Sequence, residues 1–181
     1  MSLNNLANIL SELGRREEAL DTAREAVDTY RQLARERPDT FTPDLAASLN
    51  NLATMLSDLG RREDALETAQ EAVDIRRQLA RAHPDAFTAN LASSLGVLGQ
   101  IQDGLGNLQD AHTSIHEAIT LLAPVFRTYP DAYVIWMTPM CRHYLDRCER
   151  LGVDLDVELL QPIVDILKSR EAGASGGDAD A

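Results

Sequence analysis

Cysteine is scarce in this sequence, which has only Cys141 and Cys148 among its 181 residues. Two thiols are too few for the disulfide framework of a small secreted protein, so we expect a reducing compartment, the cytoplasm. The sequence also lacks an apolar run of about 18 residues and a basic segment followed by an apolar one at its start. We therefore expect no membrane-spanning helix and no signal peptide.

Aromatic residues and positive charge are also in short supply. Aromatic residues make up 4% of the chain, whereas alanine and leucine are abundant, and this balance favours helix over sheet. The 17 lysines and arginines are outnumbered by 29 acidic residues, which gives a net charge of −12. Nucleic acids and anionic membrane surfaces both require a positive surface, so we expect neither as a partner.

An internal repeat organises the chain. Residues 2–47 align with residues 48–93 without gaps and are identical at 32 of 46 positions. A third copy beginning at Ser94 is weaker, and a fourth fades after Gly152. We therefore predict three repeats at residues 1–47, 48–93 and 94–131, a degenerate fourth repeat or C-terminal cap at 132–170, and a disordered tail at 171–181.

Each repeat has the periodicity of two helices, A and B. In the second copy the leucines and alanine of S-L-N-N-L-A fall on one side of helix A, and polar residues fall on the other. We expect Thr42 or Thr88 to cap helix A, Gly60 to end it, and Pro84 to end helix B before a connecting loop. The predicted fold is all-α, a right-handed α-solenoid of antiparallel helix hairpins.

These residues resemble the tetratricopeptide repeat, in a long variant similar to the repeats of kinesin light chain and of bacterial signalling proteins. The positions that carry the resemblance are leucines and an alanine in helix A, the turn glycine, and spaced alanines in helix B: Leu49, Leu52, Ala53, Leu56, Gly60, Ala65, Ala69 and Ala72. The period of 46 residues is longer than the family's usual period of about 34.

In a stack of such hairpins, helix A lines the concave face. Its polar side therefore supplies the candidate binding residues Asn4, Asn5, Asn8, Glu12, Asn50, Asn51, Thr54, Asp58, Gln100 and Asp103. The resemblance implies that Asn5 and Asn51 contact the main chain of a bound peptide. An asparagine side chain has donors and an acceptor that suit this role, although a repeated polar residue also suits a solvated face.

The charge of this face narrows the predicted partner. Family members that bind a C-terminal carboxylate need lysine or arginine in the groove, and we identify none there, whereas Glu12, Asp58 and Asp103 are acidic. We therefore expect a neutral or basic peptide or protein segment and no carboxylate clamp.

Residues suited to catalysis or metal binding are few. His112 and His116 stand one helical turn apart, but no third metal ligand is evident. Cys141, His143 and Cys148 form a C-x-H-x4-C pattern without an orienting third group for a nucleophile. We predict buried apolar thiols, no metal site, no cofactor and no catalytic residue.

Two functional interpretations remain open. The first is a non-catalytic protein–protein interaction module, for example the scaffold of a bacterial signalling protein; the second is a regulatory or sensor fragment of a larger ATPase or protease. The first copy also lacks a counterpart of the T-P-D-L-A-A segment that precedes the second copy. We therefore expect either a longer array or a homo-oligomer formed through the N-terminal hairpin.

Overall fold

The computed structural model describes residues 2–175, which contain eight helices and no strand. The all-α prediction is therefore confirmed for this part of the chain. The helices are α1 (Leu3–Glu12), α2 (Arg16–Glu36), α3 (Pro38–Asp58), α4 (Arg62–Ala82), α5 (Pro84–Gly104), α6 (Leu108–Thr128), α7 (Pro130–Leu151) and α8 (Val157–Ser175).

Glycine closes the hairpins of the repeats as predicted. Gly60 adopts a φ of 76°, which a residue without a Cβ reaches at little cost. The N–H of Gly60 donates to the carbonyl of Ser57, and the N–H of Arg61 donates to the carbonyl of Leu56, each at 2.9 Å. This Schellman arrangement satisfies the last carbonyls of α3 and turns the chain directly into α4.

The predicted loops between hairpins do not exist, and the caps at Thr42 and Thr88 are wrong. Helices α3 and α5 begin at Pro38 and Pro84, so each proline is the first residue of a new helix. A proline has no N–H to leave unpaired and its φ is already helical, so it suits this position. Pro43 then lies inside α3, where it removes one backbone donor.

The helices form successive antiparallel hairpins, and each helix packs on its neighbours in sequence. Alanines at the crossing points of the even-numbered helices, such as Ala65, Ala69 and Ala72, are 0–1% exposed and let the helices approach closely. Leucines from the odd-numbered helices complete the core.

The final helix pair departs from the regular hairpin. Helix α8 follows α7 after residues 152–156 and packs against both α6 and α7, with Ile163 fully buried. It continues to Ser175, past residue 170 where we expected disorder to begin. The rest of that predicted tail, 176–181, lies outside the described residues.

The outward side of the first hairpin exposes apolar side chains. Ile9 is 42% exposed and Leu13 is 67% exposed, whereas Met55 and Ile101, which occupy the position of Ile9 in the next two repeats, are 6% and 2% exposed. A preceding hairpin covers this position in the later repeats, and association of the first hairpin with another chain stays a prediction.

Candidate functional site

The odd-numbered helices lie closer to each other than the even-numbered helices do. Helix α1 packs beside α3, α3 beside α5, and α5 beside α7, whereas the described residues of α2, α4 and α6 make no comparable backbone approach to one another. Side chains instead bridge the wider gaps, since Arg31 binds Glu71 at 2.9 Å and Arg77 binds Glu117 at 2.7 Å. A stack that is tighter along one side curves toward it, so the odd-numbered helices form the inner face.

Two of the predicted binding asparagines hold neighbouring repeats together. The Asn4 side-chain N–H donates to Ser48 Oγ at 2.8 Å, and Ser94 Oγ donates to Asn50 Oδ1 at the same distance. Ser48 and Ser94 are 0% and 1% exposed, so these hydrogen bonds are packed between helices. The amides of Asn4 and Asn50 are thus used within the protein.

The third repeat makes the same contact with different residues. Gly96 occupies the position of Asn4 and Asn50, and Met140 occupies the position of Ser48 and Ser94. The Met140 side chain fills the space that a side chain at Gly96 would need. A large residue therefore replaces the serine where the asparagine is lost, which explains why the third copy departs from the motif.

A recess lies between α1 and α3 on the inner face. It encloses about 250 Å³ and is lined by Asn8, Ser11, Glu12, Asn51, Thr54, Met55 and Asp58. Glu12 and Asp58 are exposed, and neither makes an ion pair with any residue from 2 to 170. Five of the ten predicted binding residues thus meet in one place, and Asn5 lies exposed on α1.

The α5 part of the inner face differs, because its acidic residue is neutralised. Asp103 accepts hydrogen bonds from Arg147 at 2.9 Å and from Arg150 at 2.8 Å. Arg147 is fully buried and also donates to the carbonyl of His143 at 2.7 Å. Burial lowers the pKa of Arg147, while Asp103 favours its charged form. Gln100 remains exposed.

The sequence analysis missed the arginines at this end of the inner face. Arg150 stands in repeat register with Glu12 and Asp58, so extending the 46-residue spacing to the fourth copy would have found it. Arg147 occupies the repeat position of the apolar Met55 and Ile101. Nothing in the repeat pattern indicates that an arginine at this position would be buried.

The histidines and cysteines form polar contacts among α6, α7 and the α7–α8 turn. His116 Nε2 lies 3.1 Å from Asp156 Oδ2, and His112 Nε2 lies 3.5 Å from Cys148 Sγ. The hydrogen bond from His116 lowers the pKa of Asp156, as does the Leu159 N–H that Asp156 also accepts. Burial, followed by the charges of His116 and Arg147, lowers the pKa of His112. Asp156 therefore links α6 to the first turn of α8.

The geometry of these residues favours packing over chemistry. Burial raises the pKa of the Cys141 thiol to about 11, which keeps it protonated and weakly nucleophilic at neutral pH. Burial and the charge of Arg147 lower the pKa of His143. Within the part of the chain that the structure describes, no three His, Cys, Asp or Glu side chains converge on a point where a metal ion could bind.

The same described helices include none with the length and apolar character needed to cross a lipid bilayer.

Comparison with known proteins supports the repeat assignment. Residues 1–78 match the family model described as tetratricopeptide repeat. Two solved structures of a Podosopora anserina putative kinesin light chain with nearly identical TPR-like repeats, one of them a single-residue variant, superimpose with a TM-score of 0.66. Each is 20% identical, and the alignment covers 92% of this chain and 74% of the other. No curated protein matches the chain. At 20% identity the structural likeness shows the fold alone, and that fold is the predicted α-solenoid.

Proposed function

We propose that this chain, which carries tetratricopeptide repeats, is a non-catalytic protein–protein interaction module that binds an extended peptide segment on the inner face of α1, α3 and α5. The family mediates contacts between proteins, and the resemblance implies peptide contacts on this face. The observation that carries the proposal is the recess between α1 and α3, where polar side chains converge without being used for packing.

Asn5 and Asn51 are the side chains that we assign to the peptide main chain. Unlike Asn4 and Asn50, neither makes a side-chain hydrogen bond to any residue between 2 and 170. An amide can donate to a peptide carbonyl and accept from a peptide N–H, so it can fix an extended segment whatever its side chains are. Position 97 holds valine, so this contact is confined to the first two repeats.

Charge defines the segment further. Glu12 and Asp58 border the recess and favour a lysine or arginine of the partner, while Asp103 is already paired with arginine. Arg147 and Arg150 are held by Asp103 and offer little to a C-terminal carboxylate, so we propose a basic or neutral internal segment. The free thiols of Cys141 and Cys148 agree with a reducing compartment, and we propose the cytoplasm.

The test is selection of peptides from a displayed random library on the purified chain, followed by fluorescence anisotropy of the selected peptides. Asn51→Ala and Asp58→Asn should each weaken binding about tenfold, the effect of losing roughly 1.4 kcal/mol. The matched controls Asn107→Ala and Asp21→Asn change exposed residues away from the inner face and should leave affinity unchanged. Equal affinity of all four variants, or a preference for acidic peptides, would overturn the proposal.

A further inference from the structure

The outer sides of the second and third repeats each contain a slot that is shared with the preceding hairpin. One slot of about 290 Å³ lies between α2 and α4, and its repeat equivalent of about 190 Å³ lies between α4 and α6. The floor of the slots consists of leucines from α3 and α5, namely Leu49, Leu52, Leu95 and Leu98. These leucines are 1–8% exposed, because α2 packs along α3 and α4 packs along α5.

An arginine and a glutamate form an ion pair across each slot. Arg31 of α2 binds Glu71 of α4 at 2.9 Å, and Arg77 of α4 binds Glu117 of α6 at 2.7 Å. In both pairs the arginine comes from the preceding hairpin, and the glutamate comes from the hairpin that follows. Neighbouring hairpins therefore meet through a directional charge pair that recurs with the repeat.

The preceding hairpin contributes a valine as well as the arginine. Val27 stands four residues before Arg31, and Val73 stands four residues before Arg77. Each valine lines the same slot as its arginine. Residues four apart lie one turn from each other on the same face of a helix. The element that covers each repeat is thus a helix with valine and arginine on the side that faces the next repeat.

The first hairpin has the other half of this slot without a covering helix. Leu3 and Leu6 of α1 are in repeat register with the floor leucines, yet both are only partly buried. Glu25 of α2 is in register with Glu71. Because Leu52 and Glu71 line one slot in the next repeat, Leu6 and Glu25 lie on the same side of the first hairpin.

Glu25 is exposed and makes no ion pair with any residue from 2 to 170. Ile9 lies one turn after Leu6 on the same side of α1 and is 42% exposed, which enlarges the apolar area beside Glu25. We call the surface formed by Leu3, Leu6, Ile9 and Glu25 the first-hairpin edge. It combines exposed apolar side chains with a carboxylate whose counterparts in the next two repeats each bind an arginine.

We propose that the first-hairpin edge binds a helix of a partner protein that presents a valine and an arginine four residues apart, as α2 and α4 do within the stack. The valine of the partner packs against Leu3 and Leu6, and its arginine pairs with Glu25. The edge is separate from the recess on the inner face, so it is a second binding surface that does not depend on the first.

The test uses the full chain and a labelled peptide with the sequence of α4, Arg62–Ala82, because this helix contains Val73 and Arg77. The wild-type chain should bind the peptide in fluorescence anisotropy. Leu3→Asp should weaken binding at least tenfold, and an acidic residue in the first turn of a helix keeps α1 intact. The matched control Ile135→Asp changes a residue of α7 that is 73% exposed, and it should bind as the wild type does.

Charge reversal tests the arginine contact. Glu25→Arg should weaken binding of the α4 peptide several-fold, and a peptide carrying Arg77→Glu should recover that loss on the Glu25→Arg chain. The effect is modest because the side chains of the Arg31–Glu71 pair, which it imitates, are 37% and 42% exposed. Glu67→Arg changes an exposed glutamate of α4 and is the control, which should bind both peptides as the wild type does.

Failure of the wild-type chain to bind the α4 peptide would overturn the proposal, as would equal effects of Leu3→Asp and Ile135→Asp. Equal binding of the two peptides by the Glu25→Arg chain would also contradict it. Dimerisation of the wild-type chain in light scattering that Leu3→Asp removes would place a second copy on the edge instead. Peptides selected for the inner face should bind Leu3→Asp as they bind the wild type, so failure of one proposal leaves the other standing.

Discussion

The odd-numbered helices meet at three junctions, α1–α3, α3–α5 and α5–α7. The same repeat positions make the contact at all three, but the contact is polar at the first two junctions and apolar at the third. Asn4–Ser48 and Asn50–Ser94 are joined by hydrogen bonds of 2.8 Å, whereas Gly96–Met140 is an apolar contact in which Met140 fills the space left by glycine. The third junction also contains the buried Arg147 paired with Asp103, where the earlier repeats have Met55 and Ile101. At this repeat interface a polar pair in the first two junctions is thus replaced by an apolar pair in the third, and both positions differ.

The largest expected effect is at Arg147, which separates the third junction most clearly from the first two. Asp103→Ala should lower the free energy of unfolding by about 3 kcal/mol, because it leaves the fully buried guanidinium of Arg147 without its carboxylate partner. Urea denaturation measures the change. Arg61→Met breaks the exposed pair with Asp64 and should cost less than about 1 kcal/mol. Similar losses in both variants would mean that the buried pair has no special role.

A smaller effect tests whether Gly96 and Met140 are coupled. Met140→Ser should cost about 2 kcal/mol, because it leaves a cavity at a residue that is 6% exposed. Adding Gly96→Asn recreates the pair found at the first two junctions and should recover about 1 kcal/mol through a hydrogen bond and a better helix former. Denaturation of both single variants and the double variant completes the cycle, and strictly additive effects would show that the positions act independently.

The smallest effect compares two adjacent asparagines within one junction. Asn50→Ala should lower the free energy of unfolding by about 1 kcal/mol, because Ser94 loses its hydrogen-bond acceptor. Asn51→Ala should leave stability unchanged or raise it slightly, since alanine is the better helix former. Thermal unfolding of the two variants decides the question. A larger loss in Asn51→Ala would mean that the amide in the recess has a structural role.

Much of the fold could be predicted from residue patterns. The repeat period, the helix hairpins and the glycine turns follow from local chemistry that a single segment carries, and Gly60 is the clearest example. The start of α3 at Pro38 was missed because a proline reads equally well as the end of one helix or the first residue of the next. The distinction depends on how the preceding residue, Arg37, turns the chain.

Part of the candidate site could also be predicted from the sequence. Periodicity separates the polar side of helix A from its packing side, and this placed Glu12, Asn51 and Asp58 together at the recess. Periodicity does not separate Asn50 from Asn51, because both lie on the polar side and are chemically identical. Their roles differ only because Ser94, 44 residues away from Asn50, reaches one of them.

The sequence by itself determined that this protein is a stack of helical hairpins, because helix periodicity, turn glycines and the repeat spacing are properties of neighbouring residues. Only the tertiary structure decided which polar residues join the repeats and which remain free at the recess. These outcomes depend on distances between side chains far apart in the sequence, and only the packed stack sets those distances.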